Sequence, residues 1–190
     1  RRLAAPEVSC VGVVLAAGGS TRFGGDKLLF RYRGKPLVWW AAEALRRGGL
    51  EVYLVAARRE VAQVAGEVYG VIYNPWWRLG LSTSIKAAVA ALLDKKCVVW
   101  MLGDMPCVKP STVAALAGRC KGGLIVPTYR GARGNPVASC RDTYPLALAL
   151  EGDVGLRALF GRVPVEVVEV DDPGILVDVD TPGDLERLNC

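Results

Sequence analysis

Apolar and polar positions alternate between two regimes along this chain. Short, predominantly apolar runs stand at 11–15, 51–56, 71–73, 97–102, 123–127, 163–170 and 175–179. Runs of that length bounded by Gly, Pro or charged residues read as strands buried on both faces. Between them lie segments with helical spacing: PLVWWAAEALRR at 36–47, then 60–69, LSTSIKAAVAALL at 81–93, and 111–119. Pro36 before the first helix and Gly48-Gly49 after it mark its two ends. Strand and helix alternate through the first third, which predicts an α/β fold with a mostly parallel sheet covered by helices. A chain of 190 residues without repeats or low-complexity tracts fits a single domain over 1–190.

The chemistry concentrates at 11–27, VGVVLAAGGSTRFGGDK. Four glycines after a first strand let backbone N–H groups converge on an anion, and Arg22 and Lys27 add two cations. The stretch reads as a polyphosphate cradle; the plainer alternative is a glycine-rich turn. It is neither a P-loop, which needs Gly-Lys-Ser/Thr, nor the G-x-G-x-x-G dinucleotide fingerprint.

A second candidate follows strand 97–102, where Gly103-Asp104-Met105-Pro106 puts a carboxylate at the strand's carboxyl end. In a doubly wound sheet this strand crosses over to lie beside the first, so Asp104 faces the cradle across the switch point. A carboxylate facing a polyphosphate needs an intervening cation, which implies Mg²⁺; a turn-capping Asp is the alternative. At 74–84 the loop NPWWRLG leads into a helix that begins Leu81-Ser82-Thr83-Ser84. Ser82 is a candidate N-cap, and Trp76 and Trp77 either stack on a flat ligand or plug the loop. The loop 128–138 carries Arg130 and Arg133 among glycines, which fits a second anion site or an ordinary surface loop. At 178–184, DVDTPGD, Thr181, Pro182 and Asp184 form a capping box. Capping leaves Asp178 and Asp180 unexplained, on one face at strand spacing.

Charge and composition narrow the chemistry. The net charge is +5, but residues 1–60 carry 11 Lys/Arg against 5 Asp/Glu and residues 151–190 carry 3 against 10. A basic first third suits a polyphosphate ligand. No basic run is interleaved with aromatics, so nucleic acid is not the expected partner. There is no histidine, which removes His-dependent nucleophilic catalysis and His-ligated metals. The six cysteines lack C-x-x-C spacing, which argues against zinc. No apolar run reaches the roughly 18 residues of a membrane span, and RRLAAPEVSC lacks the apolar core of a signal peptide. A cytoplasmic location is the expectation.

LAAGGSTRFGGDK resembles the signature LAxGxSxRxGxxK of the molybdenum cofactor nucleotidyltransferases, the MobA/MocA-like group. The NP-x-x-x-x-G loop with its following serines, GDMP, the G-x-P-V form at 134–137, the GDxGxR form at 152–157 and DVDTPGD extend the resemblance over nearly the whole chain. The resemblance implies a three-layer α/β/α Rossmann-like nucleotidyltransferase fold with a mixed, mostly parallel sheet. It implies transfer of a nucleoside monophosphate to the phosphate of molybdopterin, with CTP favoured over GTP by the LAAG and DVDTP forms. Arg22, Lys27 and Asp104 would then be catalytic. Leu15, Ala16, Ala17, Gly18, Gly19, Ser20, Ala57, Asn74, Ser82, Ser84 and Gly103 would line the nucleotide site with Arg22 and Lys27. Arg130, Arg133, Asn135 and Pro136 would receive the acceptor, Asn135 standing where family members often have His. Asp104 and Asp180 would hold Mg²⁺. The alternatives are a guanylyltransferase on the same cofactor, a cytidylyltransferase on a sugar or alcohol phosphate, and a nucleotide-binding chaperone delivering cofactor to a molybdenum-containing oxidoreductase.

Overall fold

The computed structural model describes residues 9–19 and 26–190. In chain order the elements are β1 (Cys10–Ala16), β2 (Arg31–Tyr32), β3 (Lys35–Pro36), α1 (Leu37–Arg47), β4 (Glu51–Ala56), α2 (Arg59–Val64), β5 (Gly70–Tyr73), α3 (Leu81–Ala91) and β6 (Cys97–Leu102). They continue with α4 (Pro110–Ala117), β7 (Leu124–Tyr129), β8 (Ala132–Arg133), β9 (Val137–Cys140), α5 (Tyr144–Leu148), β10 (Val165–Glu169) and α6 (Pro182–Arg187).

The main sheet runs β10-β7-β9-β6-β1-β4-β5, with β8 paired to β7. β1 pairs in parallel with both β4 and β6, and β9 runs antiparallel between β6 and β7. With a strand on either side and helices over both faces, β1 is apolar on both faces. Val14 and Ala16 enter one core with Leu45 of α1, Val61 of α2 and Val113 and Leu116 of α4. Val11 and Val13 enter the other with Ile85 and Val89 of α3 and Tyr144 of α5. Two cores on two faces make three layers, and the predicted α/β/α fold with a mixed, mostly parallel sheet is what the chain adopts. Helix α1 buries Leu37, Val38, Ala41, Ala42, Ala44 and Leu45, the i, i+4 stripe of an amphipathic helix. Among the described residues no helix is long and apolar enough to cross a membrane.

Two stretches depart from the expectation. Residues 128–138 are not a plain loop, because β7 extends to Tyr129 and returns through β8 and β9. Residues 175–179 form no strand. Pro173 and Gly174 curl the chain into a 3-10 turn, Pro173–Leu176, and the backbone then bonds to loops in place of a ladder. The carbonyl of Ile175 accepts from Asn135 N at 3.0 Å, and Val179 N donates to the carbonyl of Asp104 at 3.0 Å. The cysteines, unassigned from sequence, pair as Cys10–Cys97 across β1 and β6, Cys107–Cys190 and Cys120–Cys140.

Candidate active site

The carboxyl ends of β1 and β6 lie side by side at the point where the chain's order in the sheet reverses, the position at which an open α/β sheet receives its ligand. Gly103 N donates to the carbonyl of Leu15 at 3.1 Å, locking the two strand ends together. A cavity of about 840 Å³ opens above them. Leu15, Ala17, Gly18, Gly19, Lys27, Ser84, Gly103 and Asp104 line it, all expected from the sequence. Gly19 has to be glycine, since a Cβ there would stand 2.6 Å from the ring of Trp77. Trp77 forms one wall, with the Arg78 guanidinium 4.6 Å from its ring centroid, whereas Trp76 is mostly exposed.

At the base of this cavity Lys27 reaches across to two acidic residues and a backbone carbonyl. Its Nζ donates to Asp104 Oδ2 at 2.6 Å, to the carbonyl of Val179 at 3.0 Å and to Asp180 Oδ1 at 3.4 Å. Burial alone would lower the pKa of Lys27, but the hydrogen bond to Asp104 and the charges of Asp104 and Asp180 outweigh it and hold the ammonium above its ordinary value. Asp178 completes the cluster: ligand oxygens of Asp104, Asp178 and Asp180 lie within 4.8 Å of one another. Burial pushes the Asp178 carboxyl up, and the charges of Asp180 and Asp104 push it further. Asp104 Oδ1 is buried with no hydrogen-bond partner among the described residues. An all-oxygen set with one lone pair left over is the donor chemistry of a hard divalent cation, so these residues fit Mg²⁺ or Mn²⁺.

A second cavity of about 450 Å³ adjoins the first and shares Leu15, Leu81 and Leu102 with it. Arg133, Asn135, Arg157 and Asp178 supply its polar groups, against apolar wall residues that include Trp100, Leu156 and Ile175. Lys27 and Asp104 face the first cavity and Asp178 the second. The carboxylate cluster therefore sits on the border between the two.

Other residues singled out in the sequence take different places. Asn74 lines neither cavity; it is buried, its amide donating to Thr83 Oγ1 at 2.8 Å and Ser84 Oγ at 2.9 Å while its Oδ1 accepts from Trp76 N. Its role in the described structure is to clamp the loop onto α3. Ser82 is not an N-cap. The cap is Gly80, at φ 114°, where a side chain would run into the carbonyl of Gly152. Ser82 is buried as the second residue of the helix, its hydroxyl without a partner among the described residues, and the start of α3 is capped from a distant segment by Asp153 Oδ1, which accepts from Leu81 N at 3.0 Å. Ala57 packs against the core below α3, and Ala16 is buried in the opposite core. Arg130 sits at the β7–β8 turn with its guanidinium over Tyr129, outside both cavities. Pro136 follows Asn135 through a cis peptide beside the second cavity. Ser20 and Arg22 lie outside the described residues.

Sequence reasoning missed Arg78, Asp153 and Arg157 as wall residues. It also missed the Arg58–Asp26 ion pair of 2.6 Å, which ties the end of β4 to the cradle. The only signal for Arg157 was its place in GDVGLR, a segment whose local physics shows no more than a turn.

Comparison with known proteins agrees with this geometry. The MobA-like NTP transferase domain matches residues 12–167. The chain is 32% identical to nicotine blue oxidoreductase of Paenarthrobacter nicotinovorans, over 96% of this chain and 98% of that protein. It is 25% identical to the molybdenum cofactor cytidylyltransferase of Escherichia coli K12, over 90% and 91%. Among solved structures, Rv0371c of Mycobacterium tuberculosis H37Rv superposes with a TM-score of 0.81 at 29% identity, covering 94% of this chain and 97% of that one. A manganese complex of the same protein superposes at 0.77 and 28% identity, covering 95% and 97%.

Proposed function

Because this chain belongs to the MobA-like NTP transferase family, we propose that its site moves the cytidylyl group of CTP onto the phosphate of molybdopterin, releasing pyrophosphate. The observation that carries the proposal is the carboxylate cluster on the border of two adjoining cavities, one walled by the glycine cradle and the other by arginines. An oxygen of the acceptor phosphate attacks the α-phosphorus, the bond from that phosphorus to the bridging oxygen breaks, and pyrophosphate leaves with the electron pair. A phosphomonoester, with a second pKa of ~6, is mostly dianionic at pH 7, so the step needs no general base. A chain without histidine is suited to that chemistry.

Catalysis then rests on positioning and charge. The backbone at 17–19 receives the triphosphate, and Trp77 closes that side of the cavity. Asp104, Asp178 and Asp180 would hold Mg²⁺, which neutralises phosphate charge when bound. The manganese complex of Rv0371c supports a divalent cation in this fold. Lys27, held among these carboxylates, is placed to turn its ammonium toward the phosphates, and Arg22 supplies a second cation. The product would pass to a molybdenum-containing oxidoreductase.

The test is pyrophosphate release with CTP, Mg²⁺ and molybdopterin, omitting each in turn and replacing CTP by GTP. Release that needs all three components supports the proposal. Release with GTP in preference to CTP would make the enzyme a guanylyltransferase, and release without acceptor would contradict transfer.

A further inference from the structure

Some of the described arginines are already engaged by carboxylates. Arg46, Arg58, Arg119 and Arg187 are tied to carboxylates. Arg133 and Arg157 have no carboxylate partner among the described residues, yet both line the second cavity. They come from separate segments that the fold brings together. Arg133 lies in β8 with its guanidinium 5.3 Å from the ring of Phe160, and Arg157 belongs to the 3-10 turn Leu156–Leu159 immediately before that ring. Gly155, which precedes the turn, packs against Leu81 of α3, so the segment is fixed to the wall shared by the two cavities.

Electrostatics gives these two side chains a task. The adjoining cluster sets three carboxylates against one ammonium, and an approaching dianionic phosphate would be repelled by it. Two guanidiniums in the wall of the same cavity oppose that repulsion, and their planar forks match phosphate oxygens in pairs. Resting on the nucleotidyl-transfer reading, we infer that Arg133 and Arg157 together hold the phosphomonoester of the acceptor, while Trp100, Leu156 and Ile175 take its flat carbon body. Arg130, in the β7–β8 turn two residues before β8 but outside the cavity, has no part in it. The acceptor class is a phosphomonoester on a planar or apolar skeleton, in preference to a sugar phosphate.

Phenyl phosphate serves as the probe, titrated into wild type, Arg133→Met, Arg157→Met, Arg157→Lys and Arg130→Met. Arg157 is exposed and has no ion-pair partner among the described residues, so its replacement leaves the fold intact, which CTP–Mg²⁺ binding within twofold of wild type verifies. Arg133→Met and Arg157→Met are each expected to weaken phenyl phosphate by about tenfold or more, Arg157→Lys to recover part of the loss, and Arg130→Met to bind as wild type. In turnover, Arg157→Met raises the KM for molybdopterin and leaves the KM for CTP unchanged. Equal binding by wild type and both Met variants, loss in Arg130→Met instead, or no binding by wild type would overturn the inference. Transfer with an unchanged acceptor KM in Arg157→Met sinks the arginine pair and leaves the reaction standing. The expected binding pattern without any transfer sinks the reaction and leaves the pair standing.

Discussion

Lys27 concentrates the problem of this site in one side chain. It bridges Asp104, Asp180 and a backbone carbonyl, standing where a divalent cation would otherwise balance the cluster. Lys27→Ala should therefore do two opposite things. Transfer should fall by about 10²-fold or more, the size of effect seen when one preorganised charge partner is lost. Mn²⁺ alone, titrated without nucleotide, should bind more tightly than to wild type, because a competing cation has been removed. Weaker Mn²⁺ binding in the variant would show that Lys27 organises the carboxylates and does not compete for them. Ala17 makes a narrower claim. Its Cβ is on the wall of the first cavity, and a methyl group in a tight pocket is worth roughly 1–3 kcal/mol of discrimination. If the base lies against it, Ala17→Gly should move the kcat/KM ratio of CTP over GTP toward GTP by roughly tenfold, read as a product ratio with both triphosphates present.

The elements show which parts of this architecture a sequence displays. Strands β1, β4, β5, β6, β7 and β10 and helices α1, α3 and α4 are legible because burial on one or two faces writes a period into the residues themselves, as Leu37, Val38, Ala41, Ala42 and Leu45 do in α1, whereas β8 and β9 read as a loop. Lys27 and Asp104 are legible for a related reason: each follows a strand end, and strand order places those ends together. What cannot be read are side chains that act across long separations. Asp153 capping α3, Arg58 pairing with Asp26 and Arg157 entering the second cavity have partners that no local pattern announces. Asp172 is the most consequential of these. It is buried and accepts from Lys109 N, Thr112 Oγ1 and Gly174 N, and so fastens the start of α4 to the segment that leads to Asp178 and Asp180. Asp172→Ala leaves three donors without acceptors, two of them buried, and should cost about 2–4 kcal/mol, measured as a lowered urea midpoint. A loss below 0.5 kcal/mol, roughly the scale of a surface substitution, would contradict that role.

At the scale of the whole molecule, three disulfides tie together segments far apart in sequence. Cys10–Cys97 crosses the two strands that build the switch point, and Cys107–Cys190 joins the loop after Asp104 to the end of the acidic segment. Three such bonds are unusual for a reducing cytosol and familiar in secreted proteins and in the intracellular proteins of hyperthermophiles. The second core sets a limit on alkaline stability. Burial pushes the Tyr144 hydroxyl up to about 12. An acid whose pKa is raised by folding is held neutral in the native state while the unfolded chain ionises. Stability is therefore complete below pH ~10 and declines between pH ~10 and ~12, by on the order of 2–3 kcal/mol. Denaturant melts of Tyr144→Phe should lose that decline and keep the same shape below pH ~9.

The central claim is that the carboxylate cluster marks the place where the α-phosphate of CTP meets the acceptor's phosphate. The most direct measurement follows the label of [α-³²P]CTP in the presence of Mg²⁺ and molybdopterin, for wild type and for Asp104→Asn. The account predicts that the label moves to a cytidine dinucleotide of molybdopterin with one pyrophosphate released per labelled product, and that Asp104→Asn slows this by about 10²-fold or more. Label that stays in CTP or leaves as free CMP in wild type, or an Asn variant that transfers as fast, would contradict it.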